Sequence, residues 1–346
     1  MIFEDLPTTP WSEELIDKAF SRASRSGRAK QGREAQESMV QTSSNILSDN
    51  LENVVTAWPD FDEIDPFYRE LAEAIVETHE YDTEADGVDA LRQSLSEVSW
   101  ASRQTKQIGD EAMGKMRKAD VELARKHRKQ AFARMADVVE QVDTNLRLIG
   151  EARDALKTLP EINPDEPAIV VAGYPNVGKS SFVNDVTRAR HETAEYPFTT
   201  RGIGVGHFHG SDVPSELRDG EGSSMDEHVR YQIVDTPGLL DRPPEERNDI
   251  ESQAVSALEH LADCVIVILD ASMDCGYPIG VQLELRDAIE SQFDDVPVLT
   301  VCNKIDLSRD VEADHYMSVT EGENVEGVLA AAVDAIGYEP ELPFER

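Results

Sequence analysis

The chain has 346 residues, 40% of them hydrophobic and 6% aromatic, which is enough for two domains with ordinary cores. Its 69 carboxylates against 33 Lys and Arg give a formal charge of −36, which favours solubility, suits a high-salt cytoplasm and makes net charge a poor guide to partners. There is no apolar run of about 18 residues and no basic start followed by an apolar stretch, so neither a membrane span nor a secretory signal is expected, and the chain is placed in the cytoplasm.

In chain order, "SEELIDKAFSRAS" reads as a helix capped by Ser12, and "DPFYRELAEAIVETH" as a second helix. From Met116 to Ile149, Val121, Ala124, Ala131, Met135, Val138, Val142, Leu146 and Ile149 recur at steps of three, four and seven, the pattern of one buried helical face. Pro160, Pro164 and Pro167 then end helical structure and mark a domain boundary, so 1–160 is expected to be a helical bundle and 161–346 a second domain. In that second domain "AIVVAG", "GIGVGHF", "VRYQIVD", "CVIVILD" and "VPVLTVCN" are short β-rich runs. Four of them lead into loops and helical segments, which predicts an α/β fold with a mainly parallel sheet covered on both faces. His209 to His228 has no apolar period and reads as an exposed insertion between strands. Cys264, Cys275 and Cys302 lack metal-ligand spacing and read as reduced core thiols.

Three motifs carry chemistry. Gly173 to Ser180 fit G-x-x-x-x-G-K-[ST] between a strand and a helix. Glycines there let backbone N–H groups converge on phosphate oxygens at a helix N-terminus, so Gly173, Asn176, Val177, Gly178, Lys179, Ser180 and Ser181 form the expected phosphate loop. Lys179 would neutralise the β and γ phosphates and the Ser180 hydroxyl would ligate magnesium. At the end of "VRYQIVDTPG", Asp235 can hold magnesium through water and Gly238 can offer its N–H to a γ-phosphate. In "NKID", the Asp306 carboxylate can accept from the ring N–H and exocyclic amine of guanine, a pair of donors that adenine lacks on that edge. The Lys304 stem can cover the ring and Asn303 can tie this loop to the phosphate loop.

These motifs, with "YPFTTRGIGVGHF", "DTPGLLDRPPEERNDIE", "ILDASMDCGY", "DPFYRELAEAI" and "FEDLPTTPWSEELIDKAFSRAS", resemble the translation-factor-related P-loop GTPases. Within them, the chain is similar to the Nog branch of the Obg superfamily, the nucleolar GTP-binding proteins and their archaeal relatives. The resemblance implies a Ras-like GTP-binding domain preceded by a helical domain, GTP and GDP as ligands with magnesium, and a role in assembly of the large ribosomal subunit. It assigns Thr200, with Thr199 second, to the switch that closes on magnesium and γ-phosphate. It also turns the backbone near Ser318, Val319 and Thr320 toward the base, with Val319 where alanine is more usual, and gives Asn176 either a monovalent cation such as potassium to hold or a turn to brace. Leu239 follows Gly238 where many GTPases carry a glutamine that orients water, so hydrolysis is expected to be slow without a partner or cation. With the sequence ending at Arg346, just after the nucleotide domain, the resemblance leads to the expectation that the long tail of eukaryotic relatives is absent.

The cations are concentrated. Lys18 to Arg33 holds six Lys and Arg and no acid, and Arg103 to Arg134 holds ten against four acids. On a helical wheel Lys115, Lys118, Arg125, Lys126 and Lys129 fall opposite the expected buried face, while Arg117 and Arg128 fall at its edge or pair locally. In so acidic a chain this favours a surface for phosphate backbone, ribosomal RNA or a large-subunit precursor, over a merely solvated face. Two other readings stay open: a GTPase coupled to RNA modification or stress signalling, and a GTP-dependent binding module with negligible turnover.

Overall fold

The computed structural model describes residues 2–76, 85, 87–157, 162–187, 192–194, 203–217, 229–236 and 238–338. The chain divides into two compact units, one of residues 2–64 and 75–157, the other of 65–74 and 158–346. Among the described residues no helix is long and apolar enough to cross a membrane.

The first unit is helical: α1 (Ser12–Arg28), α2 (Gly32–Thr56), α4 (Gly87–Met116), α5 (Val121–Gln141) and α6 (Asp143–Leu156). The pairing of α2 with α4 uses small hydroxyl residues. Ser44 donates to the Thr105 carbonyl at 3.1 Å and Ser102 to the Ser48 carbonyl at 3.0 Å, so buried hydroxyls are satisfied while the backbones lie close. Fully buried Leu47, Leu51, Val98, Met116, Met135 and Val139 supply the apolar core, each side chain contributing about 1.5–3 kcal/mol of transfer free energy.

Two sequence expectations change here. Ser12 does not cap α1: the N-cap is Trp11, without a side-chain cap, and the Ser12 hydroxyl instead donates to Asp143 Oδ1 at 2.5 Å. The stretch from Met116 to Ile149 is not one helix. It begins as the end of α4, restarts at Val121 with the Asp120 carboxylate capping Leu123 N–H at 2.8 Å, and breaks again at Val142. Val121 is 40% exposed and Val138 half-buried, whereas Val139 is fully buried in place of the latter. The Asp120 cap interrupts the period that a single wheel runs through this stretch.

Among the described residues the second unit holds α3 (Pro66–Ile75, apart from its last residue) and a seven-stranded sheet. The strands are β1 (Ala168–Ala172), β2 (Glu192–Ala194), β3 (Ile203–His209), β4 (Arg230–Asp235), β5 (Cys264–Asp270), β6 (Val298–Asn303) and β7 (His315–Tyr316). Their order is β2-β3-β4-β1-β5-β6-β7. β4, β1, β5, β6 and β7 pair in parallel, and β3 is antiparallel to both β2 and β4. Every residue of β1 and β5 is buried, as expected for central strands of a covered parallel sheet. α7 (Lys179–Thr187), α8 (Asp249–Leu261), α9 (Ile279–Gln292) and α10 (Val325–Ile336) follow β1, β4, β5 and β7.

The proline-rich entry to this unit is pinned by one buried amide. Gln232 on β4 accepts from Asn163 N–H at 2.7 Å and donates to the Asn163 and Glu166 carbonyls at 2.6 and 3.1 Å. The expected insertion does lie between β3 and β4. It starts with short 3-10 turns at Gly210–Asp212 and Ser215–Leu217 and buries Val213, while 218–228 fall outside the described residues. All three cysteines are free and buried, and burial pushes the Cys264 thiol up to about 12.

Candidate functional site

The C-terminal ends of β1, β4, β5 and β6 converge, the usual place for a ligand on an open parallel sheet. From β1 the chain turns through Gly173 to Gly178 into α7. Gly173 and Gly178 have φ of +131° and +110°. A Cβ on Gly173 would collide with the Ile268 carbonyl oxygen, and one on Gly178 with the Asn303 side-chain amide. Glycine is therefore required twice over, by backbone conformation and by close approach. Asn176, exposed at φ 65°, occupies a left-handed conformation that asparagine adopts more readily than most residues, which accounts for the residue type as a turn brace.

Lys179 is buried, with its ammonium donating to the carbonyls of Gly173 at 2.5 Å and Tyr174 at 3.1 Å. The ammonium is thus curled over the loop's own backbone. Ser180 donates its hydroxyl to Asp235 Oδ2. A hydroxyl from the start of α7 and a carboxylate from the end of β4 thus share one point, and both are hard oxygen donors of the kind magnesium takes beside phosphate oxygens and water. The pair fits the expected magnesium site. Thr199 and Thr200 lie outside the described residues.

After β4, Gly238 (φ 87°) donates its N–H to Asp241 Oδ2 at 2.9 Å. Leu239 is fully buried, so its side chain points into the core and not toward the loop mouth. Nearby, Arg247 is buried enough to lower its pKa, with Gln292 Oε1 accepting from it at 2.8 Å.

At the end of β6, Asn303 joins three segments. Its amide N–H donates to the Val177 carbonyl at 2.8 Å, and its Oδ1 accepts from Val319 N–H at 3.2 Å. Phosphate loop, "NKID" and "SVT" are therefore latched through one buried side chain. Asp306 is exposed, and its Oδ1 accepts from the Ser318 hydroxyl at 2.6 Å, which orients the carboxylate. Val319 is held by its backbone, so the side chain there is free to differ from alanine. Thr320 is exposed beside it, and Ser181 is exposed on the first turn of α7.

Sequence reasoning gave no role to the turn after β5. Asp270, fully buried, accepts from Ser272 N–H at 3.0 Å, the Ser272 hydroxyl at 2.5 Å, Cys275 N–H at 2.8 Å and the Lys304 ammonium at 2.9 Å. Burial pushes this carboxyl upward, but the hydrogen bonds from Ser272 and Lys304 outweigh it and hold the group below the usual carboxylate range. Gln282 ties the same turn from α9, accepting from Asp270 N–H at 2.8 Å and donating to the Tyr277 carbonyl at 2.8 Å. Tyr277 in turn meets Tyr174 of the phosphate loop with ring centroids 4.4 Å apart. The signal was present in "ILDASMDCGY", where an acid at a strand end precedes a turn.

A parallel sheet with antiparallel edge strands, a phosphate loop after its central strand and a base loop latched to it by asparagine define a P-loop domain of the Ras-like GTPase class. Residues 3–163 match the family model of the NOG1 N-terminal helical domain, and residues 249–306 the model of nucleolar GTP-binding protein 1. The chain is 36% identical to an uncharacterized protein of Methanocaldococcus jannaschii, over 88% of this chain and 81% of that one. It is 31% identical to nucleolar GTP-binding protein 1 of Drosophila melanogaster, over 84% of this chain and 41% of that protein. With the Arabidopsis thaliana protein of the same name it shares 35% identity over 74% of this chain and 35% of that one. The chain belongs to the nucleolar GTP-binding protein 1 family, and it spans less than half the length of these two eukaryotic relatives.

Proposed function

We propose that the chain binds GTP and hydrolyses it to GDP and phosphate, and that the helical unit docks on RNA of the large ribosomal subunit or its precursor. The observation that carries the nucleotide reading is the Asn303 latch, which fixes a base-reading carboxylate relative to a phosphate loop. Asp306 would accept from the two guanine donors while Ser318 holds its other face, and rejecting adenine follows from leaving that carboxylate unpaired. Lys179 would exchange the Gly173 and Tyr174 carbonyls for phosphate oxygens, and backbone N–H groups between Asn176 and Ser181 would surround them. Ser180 and Asp235 would hold magnesium, with Thr200 the switch residue, and the ion would supply neutralisation of the phosphate charge. In hydrolysis, water adds to the γ-phosphorus as the bond to the β–γ bridging oxygen breaks, and GDP leaves with that electron pair.

Turnover is slow in this reading, because the residue after Gly238 is a buried leucine that cannot orient the attacking water. A docked particle or a monovalent cation beside Asn176 would then supply what the chain lacks. The name of the eukaryotic relatives and the two basic segments support ribosomal docking. Single-turnover GTP hydrolysis, with and without purified large subunits and with potassium against sodium, tests the proposal. Selective GTP binding with a rate raised by particles is the expected result, and equal affinity for ATP would end it.

A further inference from the structure

The two basic segments are about 70 residues apart in sequence, but they meet at one end of the helical unit. The turn from α1 to α2 and the turn from α4 to α5 are in contact: Arg33 Nη1 donates to the Arg117 carbonyl at 3.0 Å, and a Cβ on Gly32 would touch Val121 Cγ2 at 3.7 Å. Arg28 and Lys30 are exposed on the first turn, Arg117 and Lys118 on the second. Arg33 is spent on Glu37 and the Arg117 carbonyl, and Lys30 has only an exposed partner in Glu34, a pair of little strength. On the first turn of α5, between Lys118 and Arg125 in sequence, Val121 and Leu123 are 40% and 44% exposed. A groove between α4 and α5, lined by Lys115, His127 and Arg134, continues from this end.

We propose that these two turns form one docking tip for double-helical RNA. The proposal rests on the RNA-docking reading above and specifies its partner. Clustered cations answer the phosphate backbone. The choice of a duplex comes from what the tip lacks and what it adds. No aromatic ring is among the large apolar side chains exposed at the tip, and Phe20 and Phe132 are stacked on each other at 4.3 Å under Arg128, so the tip offers no Phe, Tyr or Trp face to unpaired bases. Two exposed aliphatic side chains flanked in sequence by cations instead suit the wide, shallow minor groove of A-form RNA, where riboses lie between two rows of phosphates.

The test measures binding of the full chain to an RNA hairpin and to an unstructured oligouridine of equal phosphate count, at several salt concentrations. The hairpin should bind more tightly. Arg28→Gln with Lys30→Gln should reduce the salt slope of log K for the hairpin by about two, and Arg117→Gln with Lys118→Gln should do the same for the same probe. Lys18→Gln with Arg22→Gln, roughly 9–15 Å back along α1 from Arg28, should change it far less. Leu123→Ser should weaken hairpin binding several-fold at every salt without altering the slope. Preference for the single strand, an effect confined to one turn, or an equal effect of the control pair would overturn the tip. Failure of the unsubstituted chain to bind either RNA would instead overturn the docking reading. The hairpin comparison on that chain needs no variant to fold, and circular dichroism with GTP binding checks those that are made.

Discussion

The Lys304 ammonium lies 2.9 Å from Asp270 Oδ2, inside a pair whose carboxylate is fully buried at the end of β5. Asp274, largely exposed, lies 3.1 Å from the same ammonium. Lys304 has a left-handed backbone, φ 55°, and sits in the base loop between Asn303 and Asp306, so the clamp fixes the floor against which a guanine ring would lie. Removing one partner of a buried pair leaves an uncompensated charge, which costs about 3–5 kcal/mol, whereas an exposed pair contributes about 1 kcal/mol or less. Asp270→Asn should therefore lower both unfolding free energy and guanine nucleotide affinity strongly, and Asp274→Asn should do little to either. Urea unfolding and nucleotide titration check this, and equal effects of the two substitutions would contradict it.

The same clamp sets a pH dependence. Asp270 has its folded pKa lowered, so its stabilisation is present above the ordinary carboxylate range and is lost as pH falls through the lowered value. Lys304 is opposed by burial but raised by its hydrogen bonds to Asp270 and Asp274, so its share is present below the ordinary lysine range and lost as pH rises through the raised value. The stability difference between the unsubstituted chain and Asp270→Asn should be flat from roughly pH 5 to pH 10 and shrink in acid. A difference that shrinks between pH 6 and 8, in the order of magnitude of the whole effect, would show another group in control.

Base selection should follow Asp306. Asp306→Asn should weaken GTP and improve binding of xanthosine triphosphate, whose carbonyl replaces the amine donor. Ser318→Ala, which removes the hydroxyl at 2.6 Å, should weaken GTP by about tenfold without changing which base is preferred. A competition assay with the two nucleotides separates these outcomes.

Much of this site was legible because the chemistry is local. A phosphate loop must be glycine-rich and follow a strand, so Gly173 to Ser180 announce themselves, and the five apolar runs gave five of the seven strands. β2 and β7, of three and two residues, are too short to carry a period. Among the described residues the longest helices, α2 and α4, lack a clean apolar period because Ser44, Ser48, Ser102 and Thr105 take buried positions among Leu47, Leu51, Leu91, Leu95 and Val98. The period of α5 shows in the sequence, but a single wheel runs through the cap at Asp120 and so puts Lys115 and Lys118 on a helix they do not belong to. Asp270 could not be assigned from sequence because its partner Lys304 is brought to it only by the pairing of β5 with β6.

Lys179→Ala and Ser180→Ala should abolish magnesium-dependent GTP binding or turnover while leaving far-UV circular dichroism unchanged. The Lys179 ammonium donates to the loop carbonyls of Gly173 and Tyr174, and Ser180 is exposed at the first turn of α7, so these polar groups serve the loop more than the apolar core. Full turnover by a folded double variant would remove the site.

Leu239 gives the last prediction. Its position after Gly238 invites the substitution Leu239→Gln, as though a glutamine would orient the attacking water. The side chain is fully buried, however, and its own N–H is used by the Thr236 carbonyl at 3.3 Å. A glutamine there would place an amide among apolar neighbours, losing burial and leaving polar atoms to be satisfied, at a cost of about 2–4 kcal/mol. The variant should unfold at lower denaturant and hydrolyse GTP no faster than the parent in single turnover. A stable variant with accelerated hydrolysis would mean that this residue turns outward when nucleotide binds, and that slow turnover is set by the leucine itself.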